Sequence, residues 1–185
     1  GLGQVHPIGV PGQAGGLLPT NAWKKKRIGN SWRTGDTLNA SIGQGFVLVT
    51  PLQLCVMAAR LANGVKSVNP FLVINKNAPK FETMDIDLGH LARIRDAMHA
   101  VTEVPGGTAY RPNGMGILGG KMAGKTGTGQ VRGISMSERA SGVLRNNELP
   151  WKYRDHSIFI GYAPYQAPRF AAACLVEHGG SGAGR

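Results

Sequence analysis

Apolar residues gather into a few runs separated by glycine- and proline-rich stretches. The strongest run, Leu52 to Ala62, is apolar almost all round apart from Gln53 and Arg60. Thr50, Pro51 and Gln53 supply a helix N-cap, a proline at the first helical position and a capping-box partner three residues on, and Gly64 is a natural stop. This predicts a deeply buried helix over residues 50–63. Leu88, Leu91, Ile94, Met98 and Val101 recur at three- and four-residue spacing. They predict a second helix over 88–103, capped by Asp85 or Asp87 and ended by Pro105-Gly106-Gly107. Phe71-Leu72-Val73-Ile74 reads as a short strand, and a glycine-studded strand is expected around Lys121 to Thr128. His156 to Ala163 and Arg169 to Glu177 read as the two arms of a hairpin turning through Pro164–Pro168. Residues 1–22, with six glycines and three prolines, read as a loop. Residues 23–49 are expected to continue irregularly, and 132–155 form a long polar loop of the kind that carries function. The chain reads as mixed α/β of the α+β kind, an antiparallel sheet flanked by helices.

Composition adds three points. The 185 residues include 28 glycines, about twice ordinary usage, and only 17% are charged, which argues against a coiled coil or bundle. No run of 18 apolar residues exists, so no membrane span is expected, and no signal peptide is recognised at the start. Both ends read as cut from something longer. The formal net charge of +11 is uneven: residues 1–35 carry bases only, 36–105 are balanced, and 106–185 are basic again. Such a balance favours an anionic partner. The run Lys24-Lys25-Lys26-Arg27 is read as a solvated patch, with polyanion contact as the alternative; no interleaved aromatics suggest nucleic acid. Cys55 and Cys174 sit in apolar runs and show no metal spacing, so no metal and no cofactor are expected.

The informative segment is Gly119-Gly120-Lys121-Met122-Ala123-Gly124-Lys125-Thr126-Gly127-Thr128. Gly119, Gly124, Lys125 and Thr126 match the phosphate-binding loop G-x-x-x-x-G-K-[ST]. That chemistry needs a helix opening at Lys-Thr, with its N-terminal amides on the phosphates. Gly127-Thr128-Gly129-Gln130-Val131-Arg132-Gly133 will not open one. The other reading makes Lys125-Thr126-Gly127-Thr128 a strand lining a groove. Lys125 then offers a cation, Thr126 and Thr128 offer hydroxyls, and Gly127 allows close approach of a substrate backbone. This is the K-T-G element of serine acyl-transferases.

The surroundings favour the second reading. Ser41 to Leu54, Gly106-Gly107-Thr108-Ala109, Gly124 to Thr128 and His156 to Pro164 resemble, in that order and at about those intervals, the transpeptidase domain of class B penicillin-binding proteins. Pro11 to Thr20 and Trp23-Lys24 resemble the cell-elongation branch of that family. The resemblance covers essentially the whole chain, as one domain: a loop-rich lead-in (1–49), a helical part (50–105), and the substrate strand with its hairpin (106–185).

The resemblance implies a partial penicillin-binding-protein/β-lactamase-like fold and a peptidoglycan D,D-transpeptidase working through an acyl-serine. It implies that Lys125, Thr126, Gly127 and Thr128 bind substrate, with the Thr128 N–H as an oxyanion-hole donor. Peptidoglycan stem peptides and β-lactam antibiotics are the expected ligands, a cell-elongation glycan polymerase the expected partner, and the periplasmic side of the inner membrane the expected location. None of the eight serines is followed by lysine at the third position. The S-x-x-K nucleophile is therefore expected outside this chain, no catalytic residue is assigned within it, and the fragment is expected to be inactive alone. Ser67-Val68-Asn69 matches the family's S-x-N only formally and is read as a turn. His156 and His178 are weak candidates for general bases. Two alternatives remain: a phosphate-loop nucleotide-binding protein using Gly119–Thr126, and a non-catalytic basic polyanion-binding domain.

Overall fold

The computed structural model describes residues 1–73, 80–112 and 121–183. Four helices come first: α1 (Asn21–Ile28), α2 (Thr34–Ser41), α3 (Pro51–Asn63) and α4 (Leu88–Glu103). Strand β1 (Ala123–Gly129) follows, then a short α5 (Met136–Ser141) and two 3-10 turns, then β2 (His156–Ala163) and β3 (Phe170–Val176). The three strands form one antiparallel sheet in the order β1-β2-β3.

Helix α3 forms where its caps predict. The Thr50 hydroxyl accepts from Gln53 N and the Gln53 side chain accepts from Thr50 N, both at 3.2 Å. Gly64 ends the helix in the left-handed conformation, where glycine carries no Cβ penalty. It is covered on all sides, though not completely: Val56, Ala58 and Ala62 are buried, the other residues between Leu52 and Leu61 are half-buried apart from Gln53, and only the end residues Pro51 and Asn63 are exposed. Gln53, the polar exception in sequence, is 1% exposed. Its Nε2 donates to the carbonyls of Gln4 and Gly15, each at 2.8 Å, tying the N-terminal loop to the helix. Helix α4 is capped by Asp87, which accepts from His90 N at 2.7 Å. Its buried stripe is Leu91, Met98 and Thr102; Leu88 and Ile94 are exposed. Thr102 is tolerated there because its hydroxyl donates to Met122 O at 2.8 Å.

Ala62, Met98, Ala123 and Tyr162 meet in the core, so α3 and α4 cover the sheet face that carries Ala123 and Tyr162. Residues alternate between faces along a strand. Lys125 and Gly127 therefore share the helix-covered face, whereas Thr126, Thr128, Ser157 and Phe159 belong to the other.

Two expectations need correction. Residues 23–49 are not irregular throughout: α1 and α2 lie there. Each is eight residues long, too short to be stable alone. Tertiary contacts hold them: Lys24 Nζ to Asp36 Oδ2 at 2.5 Å, Trp32 Nε1 to Thr37 Oγ1 at 2.8 Å, and Trp23 against Phe46 with ring centroids 5.3 Å apart. Residues 71–73 are not a strand. They are exposed, and no neighbouring strand among the described residues gives them a ladder; Ile74 lies outside the described residues.

Candidate active site

Strand β1 is the element the sequence singles out. It can be glycine-rich and still ordered because its neighbours fill the gaps. A methyl group on Gly124 would lie 2.4 Å from Phe159 Cζ, so the Phe159 ring occupies the place of a side chain. At Gly127 an added Cβ would find ordinary contact, 3.5 Å from Ile158 Cβ. The packing alone does not demand glycine there.

β1 pairs with β2 on one side only, leaving its other edge open among the described strands. In an antiparallel ladder a residue's N–H and C=O point to the same side, and the side alternates along the strand. Gln44 Nε2 donates to Thr128 O at 3.1 Å, and Lys125 Nζ donates to Thr126 O at 2.6 Å. Both carbonyls thus face away from β2, and the N–H groups of Thr126 and Thr128 face the open edge with them. The edge presents two backbone donors to anything laid along it, flanked by the exposed ammonium of Lys125.

The four predicted site residues are contiguous, but their side chains are not equivalent. Thr126 is 7% exposed, and its hydroxyl shares a 2.8 Å hydrogen bond with the hydroxyl of Thr108. One proton of that pair remains available for a further acceptor. Thr128 is half-buried on the same face, and Lys125 lies on the opposite face. Gln44 and Thr108 were not singled out from sequence, although both fall in the segments that carried the resemblance. Gly107 places Thr108 by packing closely on α4: a Cβ there would meet Val101 O at 2.4 Å.

The remaining candidates sit elsewhere. Asn69 Oδ1 accepts from Arg60 Nη2 at 2.8 Å beside α3, a structural use. His156 lies opposite Gly129, and its Nδ1 accepts from His178 N at 2.9 Å. Arg132 forms a bidentate pair with Glu138 that shapes the 132–155 segment. Beyond Gly129 a cavity of about 140 Å³ opens between Gln130, Arg132, Leu144 and Asp155. The phosphate-loop geometry is not present at Lys125-Thr126, because β1 runs straight through both residues and no helix opens there. Gly119 and Gly120 lie outside the described residues.

The described residues thus form an antiparallel sheet with helices packed on one face and Lys-Thr-Gly-Thr on its open edge strand. The family described as "Penicillin binding protein transpeptidase domain" matches residues 1–185, and the chain belongs to it. The chain is 32% identical to the peptidoglycan D,D-transpeptidase MrdA of Escherichia coli K12 over 98% of this chain and 29% of the relative. The penicillin-binding protein 2 (PBP2) solved in complex with MreC from Helicobacter pylori superposes with a TM-score of 0.80 at 32% identity, over 97% of this chain and 30% of that one. PBP2 of Pseudomonas aeruginosa, solved with WCK 5153, gives 0.78 at 33% identity, over the whole of this chain and 37% of that one. The 185 residues thus span about 30% of the length of the curated relatives they match.

Proposed function

We propose that this chain is the substrate-strand portion of a PBP2-type peptidoglycan D,D-transpeptidase, residues 1–185 forming part of a single transpeptidase domain. One observation carries the reading: the open edge of β1, with the N–H groups of Thr126 and Thr128 directed outward beside the Lys125 ammonium. A stem peptide ending in D-Ala-D-Ala would lie along this edge as an added strand. Lys125 would supply positive potential to the terminal carboxylate, with the hydroxyls of Thr126 and Thr128 hydrogen-bonding to it. The Thr128 N–H would face the carbonyl under attack and stabilise the oxyanion as the tetrahedral intermediate forms. Gly127 keeps the strand free of a side chain where the substrate backbone approaches. The 132–155 segment, with its small cavity beyond Gly129, would shape the far end of the cleft.

No serine in the sequence is followed by lysine at the third position. In this proposal the serine that is acylated, and the second serine that moves its proton, come from sequence outside these residues, and the chain alone is inactive. β-Lactams, which mimic the D-Ala-D-Ala end, would occupy the same edge. Among the described residues no helix is long and apolar enough to cross a membrane. A periplasmic location at the inner membrane, and assembly with a glycan polymerase of the elongation machinery, are carried over from the family as part of this proposal. Incubation with a fluorescent penicillin followed by denaturing electrophoresis tests it. The chain alone is expected to give no covalent band. The same residues joined to a segment bearing S-x-x-K and S-x-N are expected to give one that competes with unlabelled penicillin. A band from the chain alone, or none from the joined protein, overturns the reading.

A further inference from the structure

We propose that the glycine turn 179–183 is a backstop that positions the substrate strand, with Gly182 as the residue that sets the position of Gly127 and the Thr128 amide. The proposal rests on the reading of β1 as the substrate strand.

The turn leaves β3 and crosses the sheet on the face opposite α3 and α4. A Cβ on Gly179 would lie 2.9 Å from Val176 Cγ1 and 3.1 Å from Ser157 Oγ. Val176 and Ser157 are opposite one another in register and lie on that face. Three residues on, the chain rests on β1 itself. A Cβ on Gly182 would lie 2.2 Å from Gly127 O, 2.9 Å from Gly127 N and 2.7 Å from Ile158 O. All three atoms are backbone, so none can swing aside as the tip of a side chain would. Only glycine lets the turn sit this close to the Gly127–Ile158 pair.

The turn is itself held firmly. His178 N donates to His156 Nδ1 at 2.9 Å, His178 Nδ1 is 2.9 Å from Arg154 O, and Gly180 N donates to Asp155 O at 2.9 Å. The His178 ring packs on Trp151 and edge-on to His156, with centroids 4.3 and 4.8 Å apart. His178 has a φ of 55°, a left-handed conformation that a non-glycine residue adopts only when its surroundings enforce it. Asp155 also accepts from Asn146, so the anchor extends into the 132–155 segment. The two histidines are thereby positioning residues rather than bases.

The consequence concerns Thr128. Among the described residues β1 has no strand on its ligand side to hold it in place, so its position depends on β2 and on what lies behind it. Oxyanion donors act only when fixed in advance, and displacement by about 1 Å can cost on the order of a hundredfold. Gly182 bears on the residue immediately before the donor.

The test uses the intact transpeptidase polypeptide carrying this chain. Gly182→Ala is expected to speed amide hydrogen exchange in the peptide covering residues 123–129. It is also expected to lower the maximal rate constant of penicillin acylation about tenfold, with little change in the concentration giving half-maximal rate. His156→Leu, which removes the acceptor for His178 N, is expected to act in the same direction. His156→Asn, which keeps an acceptor atom at the same distance from Cβ, is expected to restore most of the rate. Gly35→Ala, where an added Cβ meets nothing within 4 Å, is the control and should change neither readout. Unaltered exchange and acylation in Gly182→Ala overturn the proposal, as does a loss explained by a lowered melting temperature alone. If the wild-type polypeptide takes up no penicillin, the transpeptidase reading fails, and the exchange measurement still decides whether Gly182 positions β1.

Discussion

Lys24 on α1 and Lys125 on β1 put the same ammonium group to opposite uses. Lys24 is 7% exposed, and its Nζ donates to Asp36 Oδ2 at 2.5 Å. The Asp36 carboxylate also accepts from Arg33 N at 2.7 Å, and Lys24 lies over the Phe46 ring. Its charge is matched within the protein and fastens α1 to α2. Lys125 is exposed and has no carboxylate partner among the described residues; its one hydrogen bond is to the carbonyl of the next residue, Thr126. A cation whose counter-charge is already in the fold stabilises structure, and one without a counter-charge is open to an anionic ligand. The run of four bases beginning at Lys24 is the more conspicuous signal in sequence, yet its first member is the one withdrawn from solvent.

The contrast can be broken from either side. The largest expected effect on folding is that of Lys24→Met, which leaves Asp36 without its counter-charge. It should lower the melting temperature more than loss of any other lysine and open α1–α2 to protease, whereas Lys25→Met should melt within about 0.5 kcal/mol of wild type. If the two variants melt alike, the Lys24–Asp36 pair is not what holds this region.

Lys125→Ala should do the reverse. In the intact domain the second-order rate of penicillin labelling is expected to fall about ten- to a hundredfold. That corresponds to a charge-assisted contact of roughly 1.5–3 kcal/mol, and the melting temperature should stay unchanged. Lys125→Arg should retain more activity because the charge is kept, though its planar head fits differently. Labelling at the wild-type rate in Lys125→Ala would remove the carboxylate-binding role of this strand.

Acid separates the two lysines next. The hydrogen bond from Lys24, and then that from Arg33 N–H, hold the Asp36 carboxyl below the usual carboxylate range. Folding therefore favours the ionised form. The stability it confers is present above the ordinary carboxylate value of about 3.9 and is lost as the pH falls through the depressed one. Asp36→Asn should be the less stable protein at neutral pH, and the gap in melting temperature should close as the pH drops below about 4. Glu138, held low by Arg132, contributes to the same acid limb in both proteins, so the difference between them isolates Asp36. A gap that stays constant with pH would rule out this linkage. The smallest effect is expected from Lys121→Ala: four residues before Lys125 along an extended chain is about 13 Å, beyond reach of the same carboxylate. Labelling that fell as far as in Lys125→Ala would extend the binding site along the chain.

The elements legible in the sequence are those whose stability is encoded locally. Helices α3 and α4 were marked by Thr50, Pro51, Gln53, Gly64 and Asp87, caps acting within one turn of the residues they satisfy. The hairpin strands were marked by the apolar arms on either side of the Pro164–Pro168 turn, and the proposed substrate strand by the contiguous Lys125 to Thr128. The sequence by itself therefore determined the family, the main elements and which four residues to watch. Tertiary structure alone decided how those residues face. It brought Gln44 across 84 positions to the carbonyl of Thr128 and buried the Thr126 hydroxyl against Thr108. It held α1 and α2 through Lys24 and Asp36, left Phe71 to Val73 without a partner strand among the described residues, and set Gly182 behind Gly127. The physical reason is the same in each case. A cap or a tight turn is satisfied by neighbours in sequence, whereas a buried ion pair, a strand edge or a backbone contact is satisfied only by a partner that folding brings from elsewhere in the chain.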